Sequence, residues 1–267
     1  MIKTIKTFSA FIKLAVKINS AYITAVWASI AINTIQIIIF YYIWMSVYRS
    51  DTVINGISKQ NIITYIILAR ILWMQIDFGI NLQISSMINT GGIAIELVRP
   101  VDFQFMMYSL RFGDFISFLI ISGTPVLMIS ILIFNFTLPP SFHHLALFSI
   151  SLIFGITIIF FIEYCVGLIS FYTQNGWGIH TMKVAVISFL TGAVIPLDFF
   201  PGILKTIIFY LPFKDIIYVP ISIYLGIRPL PQLYSALSVQ LLWCIILLIF
   251  SRIIFRISVK RNSVHGG

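Results

Sequence analysis

SSMINTGGIAIELVRPVDFQFMMYSLRFGD, residues Ser85 to Asp114, lies between two long apolar runs and does not read as a plain loop. Gly91-Gly92 and Pro100 punctuate it. Between them Ile93, Ile95, Glu96, Leu97 and Arg99 read as one or two helical turns with mixed faces. A connection that only joined two membrane helices could be about five polar residues, whereas this one is about as long as a span. A short helix at a membrane surface can lie on lipid headgroups, or it can serve as a contact platform for a soluble partner. The rest of the chain bears on that choice.

Hydrophobic residues make up 60% of the 267-residue chain and charged residues 9%, against about a quarter charged in an ordinary soluble domain. That excludes a water-soluble domain and predicts an all-α membrane protein, with residues 1–267 as a single transmembrane domain. The net charge of +9 is not a nucleic-acid signal, because the basic residues are scattered or flank apolar runs. Cys165 and Cys244 both lie inside apolar runs, so neither a disulfide nor a metal site is indicated.

Near the start, Lys3, Lys6, Lys13 and Lys17 fall within an arc of about 80° at helical spacing. Ile5, Phe8, Phe11, Ile12, Ala15 and Val16 occupy the other side, as in an amphipathic interfacial helix. Six spans follow: Ala21 to Tyr48, Asn61 to Met87, Phe115 to Phe136, Leu145 to Ser170, a shorter one from Thr181 to Pro196, and Leu233 to Ile257. Tyr22, Trp27, Tyr41, Tyr42, Trp44 and Tyr48 mark the ends of the first, as an aromatic belt would.

With the N-terminus inside, the inner flanks hold Lys3, Lys6, Lys13, Lys17, Arg99, Arg111, Lys183, Arg252, Arg256, Lys260 and Arg261. The outer flanks hold Arg49, Lys59, Lys205, Lys214 and Arg228, with Arg70 left inside a span. Eleven against five predicts both termini on the cytoplasmic side. The stretch around Glu96 then faces the cytoplasm, where a soluble partner can meet it.

GAVIPLDFFPGILKTIIFYLPFKDIIYVPISIYLG, Gly192 to Gly226, is apolar but broken by Pro196, Pro201, Pro212 and Pro220. No piece reaches the ~20 residues needed to cross. Short helices of this kind must satisfy their backbone groups within protein, which predicts a pair of re-entrant helices dipping into the outer leaflet. Within them Asp198 needs a partner or water, and Lys205 is the nearest cation in sequence.

Three intramembrane charges stand out: Arg70, Asp77 and Glu163. Counted from Asn61, Arg70 lies about 14 Å deep and Asp77 about 24 Å. Seven residues is nearly two turns, so both project from one face, either as a buried ionic clamp or as a substrate contact.

Together these features resemble the permease subunit of the ABC type-2 exporters. The likeness is carried by the Gly92 to Pro100 run (G-x(3)-E-L-V-R-P), by G-A-V-I-P-L-D-F-F-P from Gly192 to Pro201, and by L-P-F from Leu211 to Phe213. Both motifs are in register with the six-span order. They look like a compact subfamily encoded with a second permease and one ATPase. The resemblance implies a cytoplasmic coupling helix between spans 2 and 3, with Gly92, Glu96, Leu97, Arg99 and Pro100 at the contact with two copies of an ABC ATPase. It also implies an outer gate shaped by Pro196, Asp198, Phe199, Phe200 and Pro201, and a second permease chain as a homo- or heterodimer partner. On this likeness the cargo is a drug, peptide or lipid leaving across a bacterial cytoplasmic membrane, or a polysaccharide or lipid-linked glycan.

No G-x-x-x-x-G-K-[ST] run occurs, so ATP and Mg belong to the partner ATPase and the chain itself is not an enzyme. An intramembrane enzyme finds no spacing to support it: His143-His144 reads as an interfacial polar cap, and no nucleophile elbow accompanies the serines. An ion-coupled carrier or channel would draw on Arg70, Asp77 and Glu163, but the halves show no internal repeat.

Overall fold

A computed structural model describes residues 2–21, 23–49, 52–77, 79–173 and 176–262. Tyr22, Ser263 and the side chains of Lys3, Ile5, Asp77 and Arg261 lie outside the described residues. The chain runs α1 (Ile2–Ala21), α2 (Ile23–Val47), β1 (Val53–Ile54), β2 (Ile57–Ser58), α3 (Lys59–Asp77), α4 (Ile80–Asn89), α5 (Ile93–Val98) and α6 (Phe103–Phe118). A π-helical turn, Leu119–Gly123, leads into α7 (Thr124–Ile133), followed by α8 (Phe142–Leu168) and α9 (Gly176–Leu190). Three short elements, α10 (Gly202–Phe209), a 3-10 turn at Pro212–Asp215 and α11 (Tyr218–Tyr224), precede α12 (Leu230–Asn262).

Among the described residues, five helical stretches are long and apolar enough to cross a membrane: Thr24–Val47, Lys59–Asn89, Phe103–Ile133, Phe142–Phe171 and Leu230–Lys260. The remaining expected span is α9. It starts at Gly176 rather than near Thr181 and ends at Leu190 rather than Pro196. Gly192 adopts φ +79° just past its end, a left-handed turn that stops a helix at little cost to glycine. Fifteen residues give about 22 Å, short of the ~30 Å apolar core.

The opening stretch is shorter as a connection than its polarity predicts. Ser85 to Asn89 continue α4, and Phe103 to Asp114 belong to α6, so only residues 90–102 lie outside the long helices. Two of the polar residues that suggested a loop are bonded by other elements: Ser170 donates to Ser85 Oγ at 2.8 Å, and Gln104 donates to Ser251 Oγ at 2.6 Å. A helix can continue through polar positions when neighbours take their hydrogen bonds. Asp102 caps α6 by accepting the Phe105 N–H at 2.8 Å, and Ser141 caps α8. The short hairpin β1–β2, closed by Asn55-Gly56, was not anticipated.

α3 is the central helix. Residues 62–72 are all buried, and Tyr65, Leu68 and Leu72 join Ile156 and Ile159 of α8 and Val219, Ile221 and Ile223 of α11 in the largest core cluster. Every residue of α11 is buried, so this broken segment is core material. α1 sets Phe8 against Phe105, Tyr108 and Phe112 of α6. Lys6, Lys13 and Lys17 remain exposed. Its apolar side is therefore partly covered by protein, in addition to whatever lipid it meets.

Candidate coupling platform and buried charge cluster

α5 stands between the cytoplasm-side ends of α4 and α6 on the charge-derived orientation. Ile93 is buried, whereas Ile95 is 67% and Val98 85% exposed. Positions three apart share a helix face, so these two side chains form an apolar knob pair. Beside them Arg99 and Glu96 are ion-paired at 3.0 Å, and Pro100 closes the run. The structure thus gathers Gly92, Glu96, Leu97, Arg99 and Pro100 around one short turn. Ile95 and Val98 were missed as site residues; large apolar side chains on a solvent-side helix were the available signal.

The platform is fastened at its far end. Arg252 of α12 grips Asp102 with two bonds, of 2.5 and 2.8 Å. Burial alone would raise the Asp102 carboxyl, but the Arg252 guanidinium and the Phe105 N–H outweigh it, and the net shift is downward. A fork-to-carboxylate pair of this kind fixes geometry as well as charge.

Five helices, α3, α4, α6, α8 and α9, meet at a set of buried charges deeper in the protein. Glu163 of α8 is 0% exposed. Its Oε1 accepts from Lys183 Nζ of α9 at 2.9 Å, and its Oε2 lies 3.8 Å from Arg111 Nε of α6. Oε2 also accepts the Ile80 backbone N–H at 3.3 Å. Lys183 donates to Asn81 Oδ1 at 3.0 Å, and His180 Nδ1 lies 3.1 Å from the same oxygen. Arg111 donates to Gln75 twice, to the side-chain Oε1 at 3.4 Å and to the backbone carbonyl.

The cluster exists because the helix breaks there. Gly79, at φ −53° and ψ 124°, is the N-cap of α4, so the first N–H groups of α4 have no partner within the helix. Glu163 supplies one, at the end where a carboxylate is favoured. A Cβ on Gly79 would stand 2.2 Å from Asn81 Oδ1 and 2.6 Å from Lys183 Nζ, so a larger residue would push these two side-chain ends out of the cluster. Arg111 and Lys183 are therefore not flanking charges, as the inner count had them. They are 2% and 6% exposed. Lys214, 7% exposed and bonded to Asp215 at 3.1 Å, likewise leaves the outer count. Nine against four keeps the bias in the same direction.

Toward the other end, Asp198 accepts from Lys205 Nζ at 2.9 Å, the partner its sequence neighbourhood suggested, and from the Tyr218 hydroxyl at 3.1 and 3.0 Å. Phe199 meets Trp44 edge-on at 4.8 Å, and Phe200 meets Phe189 at 5.3 Å. Pro196 and Pro201 start the 3-10 turn Leu197–Phe199 and α10. Burial pushes Asp215 up to about 6 against the pull of Lys214. α3 is tied to this element by two bonds: Tyr65 donates to the Gly192 carbonyl at 2.9 Å, and Arg70 to the Ala193 carbonyl at 3.2 Å. Arg70 also lies over the Phe40 ring at 3.8 Å. Its partners among the described residues are thus a carbonyl and an aromatic face. Glu163, by contrast, joins Arg111 and Lys183.

A protein-family model for the ABC-2 family transporter protein matches residues 10–266. The chain belongs to that family. No curated protein matches it. Membership makes the chain a multi-pass permease, a membrane-transport component that partners an ABC ATPase and is not itself a catalytic enzyme. In this permease His143 and His144 serve helix ends and neighbours: His144 Nδ1 is 2.8 Å from Ser141 Oγ, and His143 Nε2 is 2.9 Å from the Tyr234 hydroxyl. Gln75, Asn81, Arg111, His180 and Lys183 were missed as a constellation, because each by itself is a lone polar residue in an apolar helix.

Proposed function

We propose that this permease is one half of an ATP-driven exporter of amphipathic or hydrophobic molecules. In this reading α9 is a short fifth span, making six, and α10 and α11 are re-entrant. Both termini face the cytoplasm of a bacterial cell, α5 is the coupling helix for one of two ATPase subunits, and a second permease completes the pathway. ATP and Mg bind to the ATPase subunits. The outward direction rests on the likeness of the Gly92 to Pro100 and Gly192 to Pro201 runs to exporters.

The observation that supports the reading is a chain of contacts running from α5 to the segment around Asp198. α5 follows α4 after only residues 90–92. The start of α4 is held by Glu163 and by the Asn81 contacts of Lys183 and His180. α3, which precedes α4, is bonded by Tyr65 and Arg70 to the backbone that leads into Asp198. A push on α5 therefore reaches both the charge cluster and the segment around Pro196. Interfaces and packed cores of this kind switch between discrete arrangements instead of deforming smoothly.

Co-expression with an ABC ATPase encoded beside the permease tests this. V98D and I95D should insert and fold normally yet recover at least tenfold less ATPase in pull-downs, since an apolar anchor replaced by a charge cannot be buried. E96K or R99E should lower transport in the same way. Normal ATPase recovery and transport in all four would remove α5 from the coupling role.

A further inference from the structure

α12 joins two parts of the permease that the contacts through α3 and α4 leave out. It runs unbroken from Leu230 to Asn262, and among the stretches long and apolar enough to cross it is the least buried. Yet Leu233, Gln240, Ser251 and Ser258 are each 0% exposed. Their steps of seven and eleven residues keep them in one stripe along one face. Three of the four are polar, and hydrogen bonds hold them to the body of the protein: Gln240 to Ser151 and to the Asp215 carbonyl, Ser251 to Gln104, and Ser258 to Tyr172. Lipid supplies no hydrophobic drive between helices, so bonds of this kind help to seat a helix on its neighbours.

Two points along α12 grip different elements. Near one end, Arg252 holds Asp102 with two bonds, and Val98, the last residue of α5, stands only four positions before Asp102. Further along, Gln240 Nε2 donates to the Asp215 carbonyl at 2.7 Å while its Oε1 accepts from Ser151 Oγ at 2.9 Å. The Pro212–Asp215 turn lies directly against α8 here: a Cβ on Gly155 would stand 3.0 Å from the Ile216 carbonyl oxygen and 3.2 Å from that of Asp215. Gln240 and Arg252 are twelve residues apart on one helix, about 18 Å, so they move together. The bonds from Tyr65 and Arg70 of α3 reach Gly192 and Ala193, whereas α12 reaches the same element beyond α10, at Asp215. The segment carrying Asp198 and α10 is thus held between two anchors on two different helices.

We propose that α12 is a second transmission rod, which carries displacement of the corner between α5 and Asp102 to the Pro212–Asp215 turn, with Gln240 as the positioning residue at its far grip. This rests on the reading of α5 as the docking helix. The joint near Arg252 holds hydrogen-bonding capacity in reserve. Gln104 Oε1 and the Tyr164 hydroxyl are buried and have no hydrogen-bond partner among the described residues. Gln104 is bonded to Ser251 through its amide nitrogen, and the Tyr164 ring lies 6.0 Å from that of Phe255 of α12. Buried polar groups are rarely left unpaired, and here an acceptor and a donor are open to a second seating of α12. Packed helices move between such seatings in small discrete steps. When α12 shifts, Gln240 either takes the Asp215 carbonyl with it or leaves that carbonyl buried and unpaired. The second outcome is the costly one, so the turn moves.

The test uses the full-length permease with the ATPase encoded beside it, in nanodiscs. I203C places a thiol on α10 at a position 82% exposed. Its labelling rate by a maleimide is read with and without ATP plus vanadate, and permease lacking I203C corrects for Cys165 and Cys244. In the I203C parent the rate should change about fivefold, the low end for coupled sites. Q240L and R252Q, compared at matched ATPase occupancy, should each lose more than half of that change. The double variant should do no worse than either single, because the two residues act in series on one rod. Sites this far apart are otherwise additive, so additive losses would overturn the rod, as would singles that keep the full change or a parent that shows none. S151A, which deletes the donor to Gln240 Oε1, replaces Q240L should that variant fail to fold. V98D separates the two readings: normal ATPase recovery in V98D removes α5 as the docking helix, whereas lost recovery in V98D beside unaffected Q240L and R252Q removes the rod alone.

Discussion

Replacing Glu163 with glutamine should damage this permease more than any change to its two partners. The carboxylate is buried with one cation at 2.9 Å and another at 3.8 Å, so the three charges sum to a single positive. E163Q leaves Lys183 and Arg111 as two buried cations with no carboxylate between them. Breaking a buried pair by removing one partner costs about 3–5 kcal/mol, because the other charge stays desolvated. K183M removes a charge but leaves Glu163 beside Arg111 and the Ile80 N–H, a neutral arrangement, and should cost about 1–2 kcal/mol. The double variant E163Q/K183M keeps only Arg111, which is bonded to Gln75, and should recover part of the loss. At about 2–4 °C per kcal/mol for a chain of this size, E163Q should lower the melting temperature by about 6–20 °C. Fluorescence-detected size exclusion of heated, purified permease measures it. An E163Q protein that melts within about 2 °C of wild type, with the double variant no better than the single, would refute the clamp.

Three further outcomes follow from the same geometry. D198A removes the partner of Lys205 and of the Tyr218 hydroxyl, so it should leave the complex assembled while changing basal ATPase activity or flux; wild-type values in both assays would mark Asp198 as a surface residue. Asp215 is pushed up to about 6 from 3.8, so the folded state holds its proton more tightly than the unfolded one. Its contribution to stability is therefore fully present below about pH 3.8 and lost as the pH rises through about 6. The melting-temperature difference between wild type and D215N should change across pH 4–7 and then level off, and a flat difference would contradict the buried carboxyl. Cysteines at Thr52 and Ser141 should react with an impermeant thiol reagent from outside intact cells and one at Ser263 should not; the reverse pattern would invert the orientation.

Composition alone was enough for the class of this protein. Sixty per cent hydrophobic residues, gathered in long unbroken runs with so few charges, point to a helical membrane chain, because a run of that length can satisfy its own backbone groups in lipid only as a helix. Local chemistry also carried the platform: Gly91-Gly92 and Pro100 bound a segment that cannot join either long helix, and α5 is found between them. The proline spacing likewise announced that nothing from Gly192 to Gly226 could span, and the Asp198–Lys205 pair was within reach because only seven residues separate the two. Other features depend on contacts between residues far apart in sequence. Glu163 is 52 residues from Arg111 and 20 from Lys183, and no periodicity ties them. A lysine or arginine near a predicted span end reads the same whether it faces headgroups or a buried carboxylate. The start of α6 was misplaced for that reason: Gln104 and Arg111 look like loop residues until Ser251, Gln75 and Glu163 are brought beside them. Tertiary packing decided which polar groups were paid for by partners, and with that it decided where the helices run.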